Sequence, residues 1–462
     1  MSGNVTIVIL AAGLGTRMKS NIAKVLHRAG GFSLVEHVVR TAGTQASAGR
    51  TIVVTGHQAE RVETVLAPYG VRFARQTEQK GTGHALLMTR EQAEPMGGLL
   101  VVLYGDCPLL SPQTLAGLLA RHRASGVAAT VITAVLDDPT GLGRIILDAE
   151  GNLEAIVEQK AATPGQLAIQ EINSGIYCFD AALLWKHIGE IGTDNPAREY
   201  YLTDIMQILR RHGHRVATLR LDDPNEIFGI NTKVELAAVD KIFRERKARD
   251  LMLSGVTIER PETVTIDLDV SVGPDTVIEA FTHFRGKCKI GAGCRIGAGS
   301  ILEDTEVGDE VELHPYTLIQ ASTVESKAHI GPFARLRMHA HVETGAHIGN
   351  FVELKKTRLG AGSKSMHLAY LGDATIGSKT NIGAGTITCN YDGTTKSPTR
   401  IGDRVFVGSN STLVAPLDLA TDSYVGAGSV ITDNVPSDAL ALGRGRQVVK
   451  EGWVKKRRDG CS

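Results

Sequence analysis

Apolar positions in this chain follow two different patterns, and the change falls near residue 255. Before it, short continuous apolar runs at 5–10, 51–55 and 99–104 alternate with helix-period stretches such as 59–66 and 82–92. Continuous apolar strands between helices predict a mostly parallel sheet covered on both faces, an α/β Rossmann-like domain. Ligands of such sheets sit at the carboxyl ends of the strands. Gly13-Leu14-Gly15 and Tyr104-Gly105-Asp106 both fall there, so both are expected to face one crevice.

After residue 255 an aliphatic residue recurs every six positions, often followed by glycine: Ile290-Gly291, Ile296-Gly297, Ile330-Gly331, Ile348-Gly349, Ile376-Gly377, Ile382-Gly383, Ile401-Gly402, Val407-Gly408 and Val425-Gly426. A six-residue period predicts a parallel β-helix with three short strands per coil. The aliphatic residue should point inward, and the small residue after it should let the backbone turn. The register is strict from Ile401 to Ile431 and broken over 385–400, where Asn390-Tyr391-Asp392-Gly393 predicts a surface loop. Between the halves, 231–253 reads as a charged helix with an apolar stripe of Leu236, Val239, Ile242 and Phe243, stopped by Ser254-Gly255. The expected organisation is a first domain at 1–232, a helical linker at 233–254 and a repeat domain at 255–462.

Lys and Arg together number 50, as do Asp and Glu, so the balanced charge points neither to nucleic acid nor to an acidic membrane. The basic tail Lys455-Lys456-Arg457-Arg458 is either a solvated terminus or a contact for an anionic ligand on a neighbouring subunit. The six cysteines are scattered, with no Cys-x-x-Cys pair and no Cys/His cluster suggesting zinc. Free thiols in a reducing cytoplasm are the expectation. Neither a signal peptide nor an apolar stretch of the ~18 residues needed to span a membrane is expected.

Gly13-Leu14-Gly15-Thr16-Arg17 follows a strand and is read as preceding a helix, a geometry that directs backbone N–H groups at phosphate. It is neither a Walker loop, which needs Gly-Lys-Ser/Thr, nor a dinucleotide fingerprint, which needs a third glycine. Arg17 and Lys24 add cations for a transferring phosphate. Gln76 and Gln79 flank the Gly81-Thr82-Gly83 turn; paired amides suit a nucleobase edge, and the stretch equally suits a polar helix cap. Asp106, with Asn231 as a second oxygen, suits Mg²⁺ in a nucleotide site. In the repeats, His367 can take a proton from an amine attacking a thioester, because imidazole titrates near pH ~6.5. Hexapeptide arrays include acyltransferases and bare scaffolds, so its neighbours decide: Arg337, Lys355 and Lys356 suit a sugar phosphate, and Asn381, Asn390 and Tyr391 add polar contacts.

Together, LAAGLGTRM, Lys24-Val25-Leu26-His27, GTGHA, Tyr104-Gly105-Asp106, Val157-Glu158-Gln159-Lys160, Glu171-Ile172-Asn173-Ser174-Gly175 and Tyr200-Tyr201-Leu202-Thr203-Asp204 resemble the sugar-1-phosphate nucleotidyltransferases. Segments 330–337, 350–356 and 381–393 extend the resemblance to the bifunctional N-acetylglucosamine-1-phosphate uridylyltransferase / glucosamine-1-phosphate N-acetyltransferase family over essentially the whole chain.

The resemblance implies a left-handed β-helix, a homotrimer and synthesis of UDP-N-acetylglucosamine for peptidoglycan and lipopolysaccharide precursors. It implies that Leu10, Ala11, Ala12, Gly13, Gln76, Gly81 and Thr82 hold UTP, with Arg17 and Lys24 at the phosphates and Asp106 and Asn231 on Mg²⁺. Gly143, Glu158 and Asn173, beside Tyr104 and Gly105, would hold N-acetylglucosamine 1-phosphate. His367 would be the general base, with glucosamine 1-phosphate on Arg337, Lys355, Tyr370 and Asn381. Acetyl-CoA would meet Ala384, Asn390, Tyr391, Ser409, Ala427 and Arg444. The chain departs from the family at Leu14, Ala23 (usually proline), Leu142, Ala161, Met338-His339 (usually Pro-Gly) and Met366. These departures bear on loop rigidity, sugar affinity and the turn presenting Arg337.

Overall fold

A computed structural model of the chain describes residues 4–149 and 152–460. Its contacts form two compact units, 1–242 and 243–462, and the division falls inside the helix Lys233–Leu253. Val239 and Phe243 of the expected stripe are buried, as are Ala248 and Leu251.

The first unit is built on the strands the apolar runs predict: Val5–Leu10, Thr51–Thr55 and Leu99–Tyr104. Val5–Leu10 lies between the other two, parallel to both, with Leu10 opposite Tyr104 and Val54. The sheet continues through Arg72–Arg75 on one side and Glu171–Asp180, Ala129–Val135 and Val216–Arg220 on the other. Glu171–Asp180 runs antiparallel to its three neighbours and Arg144–Leu147 pairs antiparallel with Leu153–Val157 beside it, while the remaining pairings are parallel. Ile7 and Ile9 pack into one apolar cluster while Val8 and Leu10 pack into another, which is why the run carries no polar alternation. The helix-period stretch 82–92 is two short helices, Thr82–Leu87 and Arg90–Ala93.

The second unit is a parallel β-helix of three sheets, with strands from successive coils hydrogen-bonded side by side. Ile296, Ile330, Ile376, Val407 and Val425 are completely buried, and the inward stripe is continuous along one core. The glycine after the aliphatic residue has a different purpose from turning the chain. Of the nine such glycines only Gly331 has a left-handed φ. A side chain at Gly297 would stand 2.6 Å from Pro315 N, and one at Gly408 would stand 2.4 Å from Ala427 N, on the next coil. Glycine is needed there because the coils approach backbone to backbone. The turning falls instead to residues such as Tyr316, Phe333 and Phe351, all left-handed. The break in register is also present: Leu359 pairs with Ile376, but Ile376 pairs with Ile401, and the extra residues include a Tyr391–Lys396 bridge.

Among the described residues no helix is long and apolar enough to cross a membrane. The five described cysteines are free thiols, and Cys461 lies outside the described residues. The basic tail forms an exposed helix, Trp453–Asp459, with Arg457 over the Trp453 ring at 5.1 Å.

Candidate functional sites

At the carboxyl ends of Val5–Leu10 and Leu99–Tyr104 lies a cavity of about 280 Å³. Leu10, Ala11, Ala12, Gly13, Lys24, Gln76, Gly81, Thr82, Tyr104 and Asp106 line it. The two strand ends thus share one crevice, fixed by Gly105 N donating to Leu10 O and Ala11 N donating to Val54 O, both at 2.9 Å.

The loop after the first strand differs from the expected loop-to-helix geometry. Only a 3-10 turn, Thr16–Met18, follows Gly15, and Lys19 in the left-handed region ends it. One such turn aligns too few peptide dipoles to supply a helix N-terminus. Arg17 is exposed on that turn and does not line the cavity, whereas Lys24 does. Lys24 Nζ donates to Asn231 Oδ1 at 3.1 Å and pairs with Asp106 Oδ2. Asn231 is placed by Ile230 N donating to Asp106 O at 3.0 Å and by Glu235, which accepts from Thr232 N at 2.8 Å. A carboxylate and an amide oxygen therefore converge on one cation, a donor set that suits Mg²⁺.

Gln76 is buried and donates to Gly81 O at 3.1 Å, with His84 Nδ1 3.0 Å away. Gly81 has φ +105°, and a side chain there would stand 2.6 Å from Tyr200 O. Tyr200 in turn accepts from Gly83 N and donates to Lys80 O, both at 2.8 Å. Glu199, which also lines the cavity, has no assigned role in the sequence reading, though it directly precedes the Tyr-Tyr-Leu-Thr-Asp motif. Beside the cavity, Asn173 N donates to Gly143 O at 2.9 Å, and Glu158 approaches Gly143 closely. Burial, and then repulsion from Asp204, pushes the Glu158 carboxyl above its ordinary range. The Tyr104 ring packs on Gly175 and links this group to the cavity. Ala23 has φ −52°, which proline accepts, but its N–H donates to Gln58 Oε1 at 3.2 Å, a bond proline cannot make.

On the coil, parallel pairing stacks Arg337 beside Lys355 and Lys355 beside Gly372. Lys355 is buried and its Nζ lies 2.7 Å from Asp373 Oδ2, which also accepts from Asn390 Nδ2. Burial alone would raise the Asp373 carboxyl, but bonds from Lys355 and Asn390 and the charge of Lys356 hold it below its ordinary range. The bond to Asp373 raises the Lys355 ammonium in turn. The Tyr370 hydroxyl lies over Gly372 next to Asn390, and Arg337 Nε donates to Glu353 Oε1 at 2.6 Å. Asp373 has no assigned role in the sequence reading, because only the coil brings it to Lys355.

His367 is exposed, and its Nδ1 lies 2.8 Å from Asn350 Oδ1, its register partner on the preceding coil. Asn381 sits on the next strand of the same sheet, opposite Lys364. Ala384, Ser409, Ala427 and Arg444 fall on successive coils along one edge: Asn410 N donates to Ala384 O at 2.7 Å and Gly428 N to Ser409 O at 2.8 Å, while Gly408 abuts Ala427. Tyr391 is exposed, its hydroxyl bonded to Gly393 O. Met338 and His339, where the family has Pro-Gly, both adopt left-handed φ, of 55° and 62°.

Comparison with known proteins covers both halves. Residues 7–160 match the MobA-like NTP transferase domain family. Residues 269–304 match the bacterial transferase hexapeptide (six repeats) family, and 398–433 match the hexapeptide repeat of succinyl-transferase. The bifunctional protein GlmU of Solibacter usitatus is 57% identical over 98% of this chain and 97% of its own length. Those of Koribacter versatilis and Trichlorobacter lovleyi are 49% and 46% identical, covering 97% and 98% of their lengths.

Proposed function

This chain belongs to the family of bifunctional GlmU proteins, and from that premise we propose how its two halves make UDP-N-acetylglucosamine. The repeat domain, 255–462, transfers acetyl from acetyl-CoA to glucosamine 1-phosphate. The domain at 1–232 then transfers uridylyl from UTP to the product, N-acetylglucosamine 1-phosphate. The helical stretch 233–254 joins them.

In the acetyl step Asn350 Oδ1 accepts a hydrogen bond from His367 Nδ1–H, which leaves Nε2 free to take the proton of the 2-amino group as it attacks the thioester. The thiol of coenzyme A leaves. Arg337, Lys355, Tyr370 and Asn381 hold the sugar phosphate, and Ala384, Asn390, Tyr391, Ser409, Ala427 and Arg444 hold acetyl-CoA.

In the uridylyl step Leu10 to Gly13, Gln76, Gly81 and Thr82 hold the nucleotide, and Gly143, Glu158 and Asn173 hold the sugar. A phosphate oxygen of the sugar attacks the α-phosphorus and pyrophosphate leaves; positioning and charge neutralisation carry the catalysis. Lys24 supplies a cation inside the cavity, and Arg17, exposed on the turn Thr16–Met18, supplies a second for the phosphates. Asp106 and Asn231 would hold Mg²⁺, which when bound supplies further neutralisation of the triphosphate. The working form is a cytoplasmic homotrimer.

The observation that carries the bifunctional reading is the buried Lys355–Asp373–Asn390 group. A coil that only held subunits together would gain more from apolar residues there, because burying a charge is costly. That argues against the alternative, a nucleotidyltransferase with a purely structural β-helix. The test supplies glucosamine 1-phosphate, acetyl-CoA, UTP and Mg²⁺ and follows free thiol and pyrophosphate separately. His367→Ala should abolish thiol release and keep uridylylation of supplied N-acetylglucosamine 1-phosphate, and Asp106→Ala should do the reverse. Pyrophosphate without thiol from the unaltered protein would sink the bifunctional reading.

A further inference from the structure

Two helix ends in the first unit assemble a side-chain cluster that the nucleotide cavity does not use. Helix Ala181–His187 runs on into the turn Ile188–Glu190, and His212 caps the carboxyl end of helix Asp204–Arg211. His187 Nδ1 is 2.7 Å from Glu190 Oε1, and His212 Nε2 is 2.9 Å from Glu190 Oε2. One donor atom from each of the three lies within 4.8 Å of the others. The His187 and His212 rings are 4.1 Å apart, and the His214 ring lies 5.7 Å from that of His187.

We propose that His187, Glu190 and His212, with His214 beside them, form a binding site for a divalent cation of the zinc class. Two imidazole nitrogens and a carboxylate oxygen are the donor set of three-ligand zinc sites, which leave a fourth position open. The location favours a cation, because the carbonyl end of helix Asp204–Arg211 carries partial negative charge and Glu190 adds a full one. The ring of His187 is fixed: its side chain is only 4% exposed. Its Nδ1, the nitrogen 2.7 Å from Glu190, is the one placed to face a cation, and Nε2 is buried on the far side of the ring.

The site has a structural consequence. Segment 191–203 leaves Glu190 and returns into helix Asp204–Arg211, carrying Glu199 in the cavity wall and Tyr200 against Gly83 and Lys80. A cation shared by Glu190 and His212 closes the loop made by that segment together with helix Asp204–Arg211, lowering the entropy lost on ordering it. The inference stands on geometry of its own and does not depend on the uridylyl reading.

The test uses the full chain, stripped with a chelator, dialysed and titrated with Zn²⁺ while bound metal and thermal midpoint are followed. The expected result is one tightly bound zinc per chain at this site and a midpoint raised by several degrees. Both should be lost in Glu190→Gln with His212→Gln, and in His212→Gln alone. Both residues are exposed, and far-UV circular dichroism checks that the variants fold. Co²⁺ should give the intense visible bands of a four-coordinate site in the unaltered protein and not in the variants. His314→Gln with His329→Gln, which removes the other histidine-carboxylate group, should leave that zinc in place. The inference is overturned if the folded Glu190/His212 variant takes up the same zinc with the same affinity. It is equally overturned if the unaltered protein binds none at equimolar metal, in which case Glu190 only bridges two imidazoles.

Discussion

Lys24 Nζ lies 3.1 Å from Asn231 Oδ1, although the two residues stand 207 positions apart in the chain. The same ammonium pairs with Asp106. Lysine therefore shares the two oxygens proposed to take Mg²⁺, and the two cations compete for one place. Lys24→Ala is expected to slow pyrophosphate release on the order of 10²-fold, as loss of a charge-stabilising donor does. The half-saturating Mg²⁺ concentration should stay equal or fall, because a competitor is gone. Asn231→Ala should raise it. Steady-state pyrophosphate release against Mg²⁺ concentration separates the two.

Gly81→Ala is expected to disable uridylylation and spare acetyl transfer. The new methyl would meet the Tyr200 backbone at 2.6 Å and 2.8 Å, at a φ of +105° that L-residues rarely adopt. Neither neighbour is a flexible side chain that can move aside. The cost should exceed about 1 kcal/mol of stability in the first unit. Urea unfolding, read beside thiol release, checks both halves of the expectation.

In the proposed acetyl step, Asn350 is expected to act through His367. With the Asn350 oxygen removed, the imidazole loses the acceptor that favours the Nδ1–H tautomer of the proposed base. Asn350→Ala is expected to slow thiol release about 10-fold with little change in KM, against on the order of 10²- to 10⁴-fold for His367→Ala. A kcat effect without a KM effect, measured by thiol release, distinguishes orientation of the base from substrate binding.

The Lys355–Asp373 pair makes the second unit sensitive to acid. The Asp373 carboxyl is depressed in the folded chain, so its stabilisation is full above the ordinary carboxylate pKa of about 4. It is lost as pH falls below that value through the depressed one. Lys355 is raised, so its share persists to high pH and is lost only as pH rises through its elevated value. Asp373→Asn leaves a buried ammonium without its counter-charge and should cost about 3 kcal/mol. Unfolding between pH 3 and 7 should show a steeper loss on the acid side for the unaltered chain than for this variant, an order-of-magnitude expectation from linkage.

How much of this was legible in the sequence depended on distance along the chain. The strands Val5–Leu10, Thr51–Thr55 and Leu99–Tyr104 and the buried hexapeptide stripe follow from burial patterns repeated within a few residues. The loop at Gly13–Gly15 was legible as a strand end but not as a turn without a helix, since Lys19 stops it by a backbone conformation that composition does not announce. The role of glycine in the repeat is not legible from spacing, because its cause lies one coil away, at Pro315 or Ala427, and not in the glycine's own turn.

The sequence by itself determined that there are two cores, where their strands lie, and which polar residues stand at strand ends, because those features are set by local periodicity. Only the tertiary structure decided which distant polar groups meet: Lys24 with Asn231, Lys355 with Asp373 and Asn390, and Glu190 with His187 and His212. The reason is physical. A buried or shared charge is stable only where the fold supplies its partner, and that partner's position is fixed by sheet register and coil stacking rather than by spacing along the chain.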